Sequence, residues 1–109
     1  MPLDVYYIAD KVSALKPGMA ITVSAVELKT IHPMPLVGVL GPLWHGVDQI
    51  MEKVIGSSYE IRVTNDLMTG NVTFFRLNES LKDGRRTWVS PDRRDLFRRD
   101  LMGYLVPIR

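Results

Sequence analysis

The chain has 109 residues, 46% hydrophobic and 24% charged, a balance that fits one globular domain and argues against wholesale disorder. It has no cysteine, which excludes disulfides, thiolate catalysis and Cys-based zinc or iron–sulfur sites, and makes a reducing cytoplasm the simplest setting. The net charge of +2 conceals an asymmetry: residues 1–75 carry five Lys/Arg against seven Asp/Glu, whereas residues 76–109 carry nine against five, eight of the nine being arginine.

At the N-terminus, Met1-Pro2-Leu3-Asp4 lacks the basic start and apolar stretch of a signal peptide. No apolar run approaches the ~20 residues that span a bilayer, so no membrane partner is expected. Val5, Ile8, Ala9, Val12 and Leu15 recur at spacings of three and four, which predicts an amphipathic helix over about Asp4 to Leu15. Asp4 caps it, and Lys16-Pro17-Gly18 ends it. Met19 to Val23 reads as one short strand. Ser24 and Glu27 then have the spacing of a capping box and predict a short helix to about Ile31, ended by His32-Pro33-Met34-Pro35.

Leu36 to Pro42 is apolar but broken by glycine and proline, and reads as a packed loop. The clearest helix runs from about Leu43 to Ile55. Leu43, Val47, Ile50, Met51, Val54 and Ile55 form its apolar stripe, and Gly56 is its stop. His45, Asp48, Gln49, Glu52 and Lys53 are expected on its outer face. Trp44 is expected either in the core or exposed at the helix start, and one of the adjacent Tyr6 and Tyr7 is expected to be exposed. Period-two alternation through Tyr59, Ile61 and Val63, then Asn71 to Leu77, predicts a β-hairpin closed by about five or six loop residues. Past Asn78, Lys82-Asp83-Gly84-Arg85 reads as a turn and Arg86 to Val89 as a short strand extending the sheet. Ser90-Pro91 reads as the start of a helix to Met102 with a partial apolar face, Leu96, Phe97 and Leu101.

The expected class is therefore α+β: helix, short strand, helix, helix, β-hairpin, then a basic C-terminal segment with a helix. Over about residues 4–77 this order, with the Lys16-Pro17-Gly18 turn, the capped helix at Ser24 and the two-stranded wing, resembles the winged helix-turn-helix superfamily. The implied organisation is a winged-helix-like domain over 1–77 and an Arg-rich extension over 78–109, strand plus helix, packed on it. The resemblance implies regulatory DNA binding, with the Leu43–Ile55 helix entering a groove and Arg62, Arg76, Arg85 and Arg86 on phosphates around the wing. Asp48 and Glu52 on that helix are unfavourable beside a polyanion, and the wing loop Asn65–Asn71 carries no base.

Catalytic chemistry has no foothold in the pattern. Gly38-Val39-Leu40-Gly41 lacks the Gly-Lys-Ser/Thr of a phosphate loop, and Ser24, Ser57 and Ser58 lack a nearby base. His45, Asp48 and Glu52 share one helical face but read as a solvated surface, so neither metal nor cofactor is expected. The contact candidates are arginines. Arg85 and Arg86 adjoin Trp88, and Arg93, Arg94, Arg98 and Arg99 repeat along the last helix, where guanidinium groups can grip phosphates in pairs. Asp92, Asp95 and Asp100 are expected to offset part of that charge at helical spacing. Trp88 reads as core ahead of a stacking platform. The expected function is a non-catalytic nucleic-acid binder acting on duplex DNA. The alternative is a protein–protein interaction module, of bacterial or phage type, docking an acidic partner or a second copy through its basic C-terminal helix.

Overall fold

Asp4 starts the first helix by turning its carboxylate onto the chain, where Oδ1 accepts from the amides of Tyr6 (3.0 Å) and Tyr7 (3.3 Å), two donors that have no partner inside a helix. The computed structural model describes residues 4–31, 42–54, 60–79, 81, 84–89 and 91–108, and over these the protein is α+β. Helix α1 (Val5–Ser13) buries Ile8, Ala9 and Val12. Tyr6 and Tyr7 are both exposed, where only one was expected, and each ring faces a lysine: Lys53 at 5.5 Å and Lys11 at 4.6 Å. Strand β1 (Ala20–Val23) follows. At Ser24 the serine half of the capping pair forms: the hydroxyl accepts from the Glu27 amide at 3.2 Å, opening α2 (Ala25–Lys29), while the Glu27 carboxylate accepts from that hydroxyl at 3.1 Å.

Helix α3 (Pro42–Lys53) packs against both α1 and α2, and this dual packing corrects the expected helix face. Gly46, Val47 and Asp48 are all buried, Asp48 to 7% exposure, so its carboxylate does not lie on an outer surface. Glu52 is exposed; His45, Gln49 and Lys53 are half-buried. A Cβ on Gly46 would stand 2.5 Å from the Leu28 carbonyl oxygen, so only glycine lets α2 and α3 approach this closely. In an open helix Gly→Ala stabilises by up to about 1 kcal/mol. Here the obstacle is backbone and cannot swing aside, so Gly46→Ala is expected to lower the unfolding free energy by about 2 kcal/mol in urea denaturation.

Strands β2 (Ile61–Asn65) and β3 (Val72–Arg76) form the expected hairpin, and β3 also pairs with β1, giving an antiparallel sheet of order β1-β3-β2. Its inner face carries Val23, Ile61, Val72 and Phe74 against the helices. On the outer face the Thr22 and Thr73 hydroxyls lie 2.8 Å apart. The loop closes with Asp66 Oδ1 accepting from the Met68 amide at 2.8 Å, and that bond, with help from Thr69, holds the Asp66 carboxyl below its ordinary 3.8.

The C-terminal segment departs most from expectation. Pro91–Leu96 is a 3-10 helix, and the chain then forms a second hairpin, β4 (Phe97–Arg99) and β5 (Leu105–Pro107), in place of a helix to Met102. Asp100 provides the local reason: its Oδ1 accepts from the amides of Met102 and Tyr104, both at 2.9 Å. Its own amide donates to the Tyr104 carbonyl, also at 2.9 Å. Gly103, at φ +87°, completes a three-residue reversal that a side-chain-bearing residue would strain. Arg86 does not extend the main sheet but bridges to Leu105 through two 2.8 Å backbone bonds. The segment meets the rest of the fold where the Thr87 hydroxyl donates to the Ile61 carbonyl and Trp88 stacks on Trp44 of α3, centroids 6.0 Å apart at 15°.

The expected break at His32–Pro35, the Leu36–Gly41 loop, the Ile55–Gly56 stop, Ser57, Ser58, the Tyr59 strand start, Lys82-Asp83 and the Ser90 cap lie outside the described residues. Among the described residues no helix is long and apolar enough to cross a membrane.

Candidate nucleic-acid interface

Nine residues were singled out from sequence, and the fold sorts them by how much of each guanidinium the protein itself uses. Arg76 is committed to structure. One terminal nitrogen donates to the Leu15 carbonyl at 3.1 Å, the other pairs with Glu60 at 3.2 Å, and its side chain is only 24% exposed. It ties the end of α1 to the start of the sheet and is removed from the contact set. Arg86 is half-buried, its guanidinium 5.3 Å from the Phe97 ring, and its backbone holds the bridge to Leu105. Trp88 is half-buried between two partners: Trp44 on one side and the Arg94 guanidinium, at 5.1 Å, on the other. It supports an arginine and is not an open platform for a base.

The others are exposed. Arg62 stands on the outer face of β2, 5.9 Å from the Tyr104 ring. Arg93 and Arg94 lie on the 3-10 helix, and Arg98 and Arg99 follow on β4, so four exposed cations occupy seven consecutive positions. Arg85, Arg98 and Arg99 line one shallow open depression together with Asp100, Leu101 and Met102. Several of these side chains are steadied without being hidden. Arg94 Nε reaches the Val89 carbonyl at 3.4 Å, Arg99 donates to the Gly103 carbonyl at 2.9 Å, and Arg85 lies 3.5 Å from Asp100. Such steadying lowers the entropy lost when a guanidinium grips an anion.

The expected neutralisation at helical spacing is corrected with the helix. Asp100 pairs with Arg85 because the extended chain brings residues fifteen apart in sequence to the same end of the hairpin. Asp95 is exposed. The expected groove helix offers little to a polyanion: burial withdraws Asp48 from its surface, but Glu52 is exposed and Lys53 is half-buried against Tyr6. His45, Asp48 and Glu52 do not gather as ligands, and no group of three metal-holding side chains occurs among the described residues.

Sequence reasoning missed the apex of the second hairpin, where Leu101 is fully exposed and Met102 is 67% exposed. A signal was present. Asp66-Leu67-Met68-Thr69-Gly70 and Asp100-Leu101-Met102-Gly103 share an Asp-Leu-Met start and a following glycine, and both build a tip in which the aspartate holds the methionine amide. Leu67 and Met68 are each 93% exposed. Comparison with protein-family models, with curated proteins and with solved structures finds no match for this chain.

Proposed function

We propose that this chain is a small, non-catalytic, regulatory nucleic-acid-binding protein that grips duplex DNA through its Arg-rich C-terminal hairpin. The observation that carries the reading is the run of exposed arginines at 93, 94, 98 and 99, the last two of which share one surface depression with Arg85. Guanidinium groups held on the 3-10 helix and on β4 match phosphate geometry and release counterions on binding. The winged-helix reading of residues 4–77 draws support from the order α1-β1-α2-α3-β2-β3 and from β1 joining the hairpin sheet. Within it, the contact surface moves from the α3 helix to the C-terminal arginines, because α3 presents Glu52 and its half-buried Lys53 faces the Tyr6 ring. A second reading, docking to an acidic protein partner or a second copy through the same hairpin, is favoured by the exposed Leu96, Leu101, Met102 and Ile108 around the arginines.

Titrating the ¹⁵N-labelled protein with a mixed-sequence duplex separates these surfaces. Amides over 93–106 are expected to shift while those over 43–53 stay in place. Shifts centred on 43–53 would return recognition to α3, and no shift anywhere at low salt would leave the acidic-partner reading.

A further inference from the structure

The geometry points to the Leu101–Met102 apex as an apolar wedge that enters the minor groove and kinks the duplex, with Arg98, Arg99 and Arg85 on the flanking phosphates. The inference rests on the nucleic-acid reading above and specifies how the hairpin would engage DNA. Cations concentrate at the end of β4, and immediately beyond them stand two exposed large apolar side chains, Leu101 fully and Met102 by two-thirds. Exposed apolar side chains gain nothing from phosphates, and neither Leu nor Met offers a strong donor or acceptor to read a base edge. What apolar tips do in nucleic-acid complexes is insert between base steps, partly unstacking them, while flanking arginines hold the backbone on either side.

The dimensions agree with a bend. A β-ribbon with its side chains is on the order of 10 Å thick, whereas the minor groove of straight B-DNA is about 6 Å wide. The tip therefore fits only if the groove opens, which happens when the duplex kinks away from it. The turn is built to hold the wedge in position: Asp100 fixes the amides of Met102 and Tyr104, and Arg99 closes on the Gly103 carbonyl. The Leu67–Met68 tip supplies an internal comparison. It has the same apolar pair and the same aspartate bond, but residues 65–71 contain no lysine or arginine to anchor phosphates. The wedge is accordingly assigned to the second tip alone.

The test uses a duplex of about 30 base pairs with a central TA step, a donor on one end and an acceptor on the other, read for energy transfer and anisotropy in the same titration. Bound wild-type protein is expected to raise the transfer as the ends approach. A double substitution, Leu101→Ser with Met102→Ser, should keep the affinity within about threefold and the same salt slope, since the phosphate contacts remain, but lose the rise in transfer. The matching Leu67→Ser, Met68→Ser double variant should bend the duplex like wild type. Binding by anisotropy with unchanged transfer overturns the wedge and leaves the nucleic-acid reading standing. Bending that survives the Leu101/Met102 substitutions, or that is lost with Leu67/Met68, also overturns it. Absence of any anisotropy change at low salt overturns the nucleic-acid reading and the wedge with it.

Discussion

Phe74→Ala is expected to lower the unfolding free energy by about 4 kcal/mol, the largest single-site effect in this fold. Phe74 is fully buried at the middle of the central strand, with Ile21 of β1 and Val63 of β2 directly across from it on either side. Removing the ring leaves a cavity whose walls are two hydrogen-bonded strands and the helices above them, so the site cannot collapse and the cost falls at the high end of the usual range. Against a total of about 5–15 kcal/mol for a domain of this kind, that loss removes from about a quarter to about four-fifths of the stability. Urea denaturation followed by tryptophan emission measures it, since Trp44 and Trp88 stack where the C-terminal segment meets α3. A loss below about 1 kcal/mol would contradict the placement of Phe74 at the centre of the core.

The second large effect is functional. Replacing Arg93, Arg94, Arg98 and Arg99 together by alanine should weaken duplex binding at low salt on the order of a hundredfold or more, and flatten the dependence of log affinity on log salt by about 4 units. All four side chains are exposed, so the fold should survive, with stability reduced by no more than about 1 kcal/mol from the lost Arg94–Trp88 and Arg99–Gly103 contacts. Arg76→Ala is the informative contrast. It breaks the tie between Leu15 and Glu60, so it should reduce stability while leaving the salt slope of the folded protein unchanged.

The helical half was legible because its signals are local. A capping aspartate at position 4, a serine–glutamate pair at 24 and 27, and apolar residues at helical spacing act within a turn or two of chain, and the structure forms α1, α2 and α3 from them. Period-two alternation located β2 and β3 for the same reason. Asp48 was misplaced because apolar periodicity describes one covered face, whereas α3 is covered from two sides; the glycine at 46 marked the close approach that periodicity ignores. The last segment was misread as a helix because Pro91 suits a helix start and arginines at 93, 94, 98 and 99 fall by coincidence at helical intervals. The reversal is decided by the Asp100 carboxylate and the positive φ of Gly103, a turn signal that only the partnering of β4 with β5 makes decisive. The arginines were thus found from sequence, but their division between a 3-10 helix and a ribbon, the apolar apex between the ribbon's strands and the structural commitment of Arg76 depend on tertiary contacts.

Fluorescence anisotropy of a labelled mixed-sequence duplex, titrated with the protein at a series of salt concentrations, reads phosphate contact by the C-terminal arginines. Dissociation constants tighter than about ten micromolar at low salt are expected, with a log–log slope that the four-arginine variant flattens by about 4 units while Arg85 keeps a small remainder. No binding by the wild-type protein at low salt, or binding with a slope that the four-arginine variant shares, would contradict such contact.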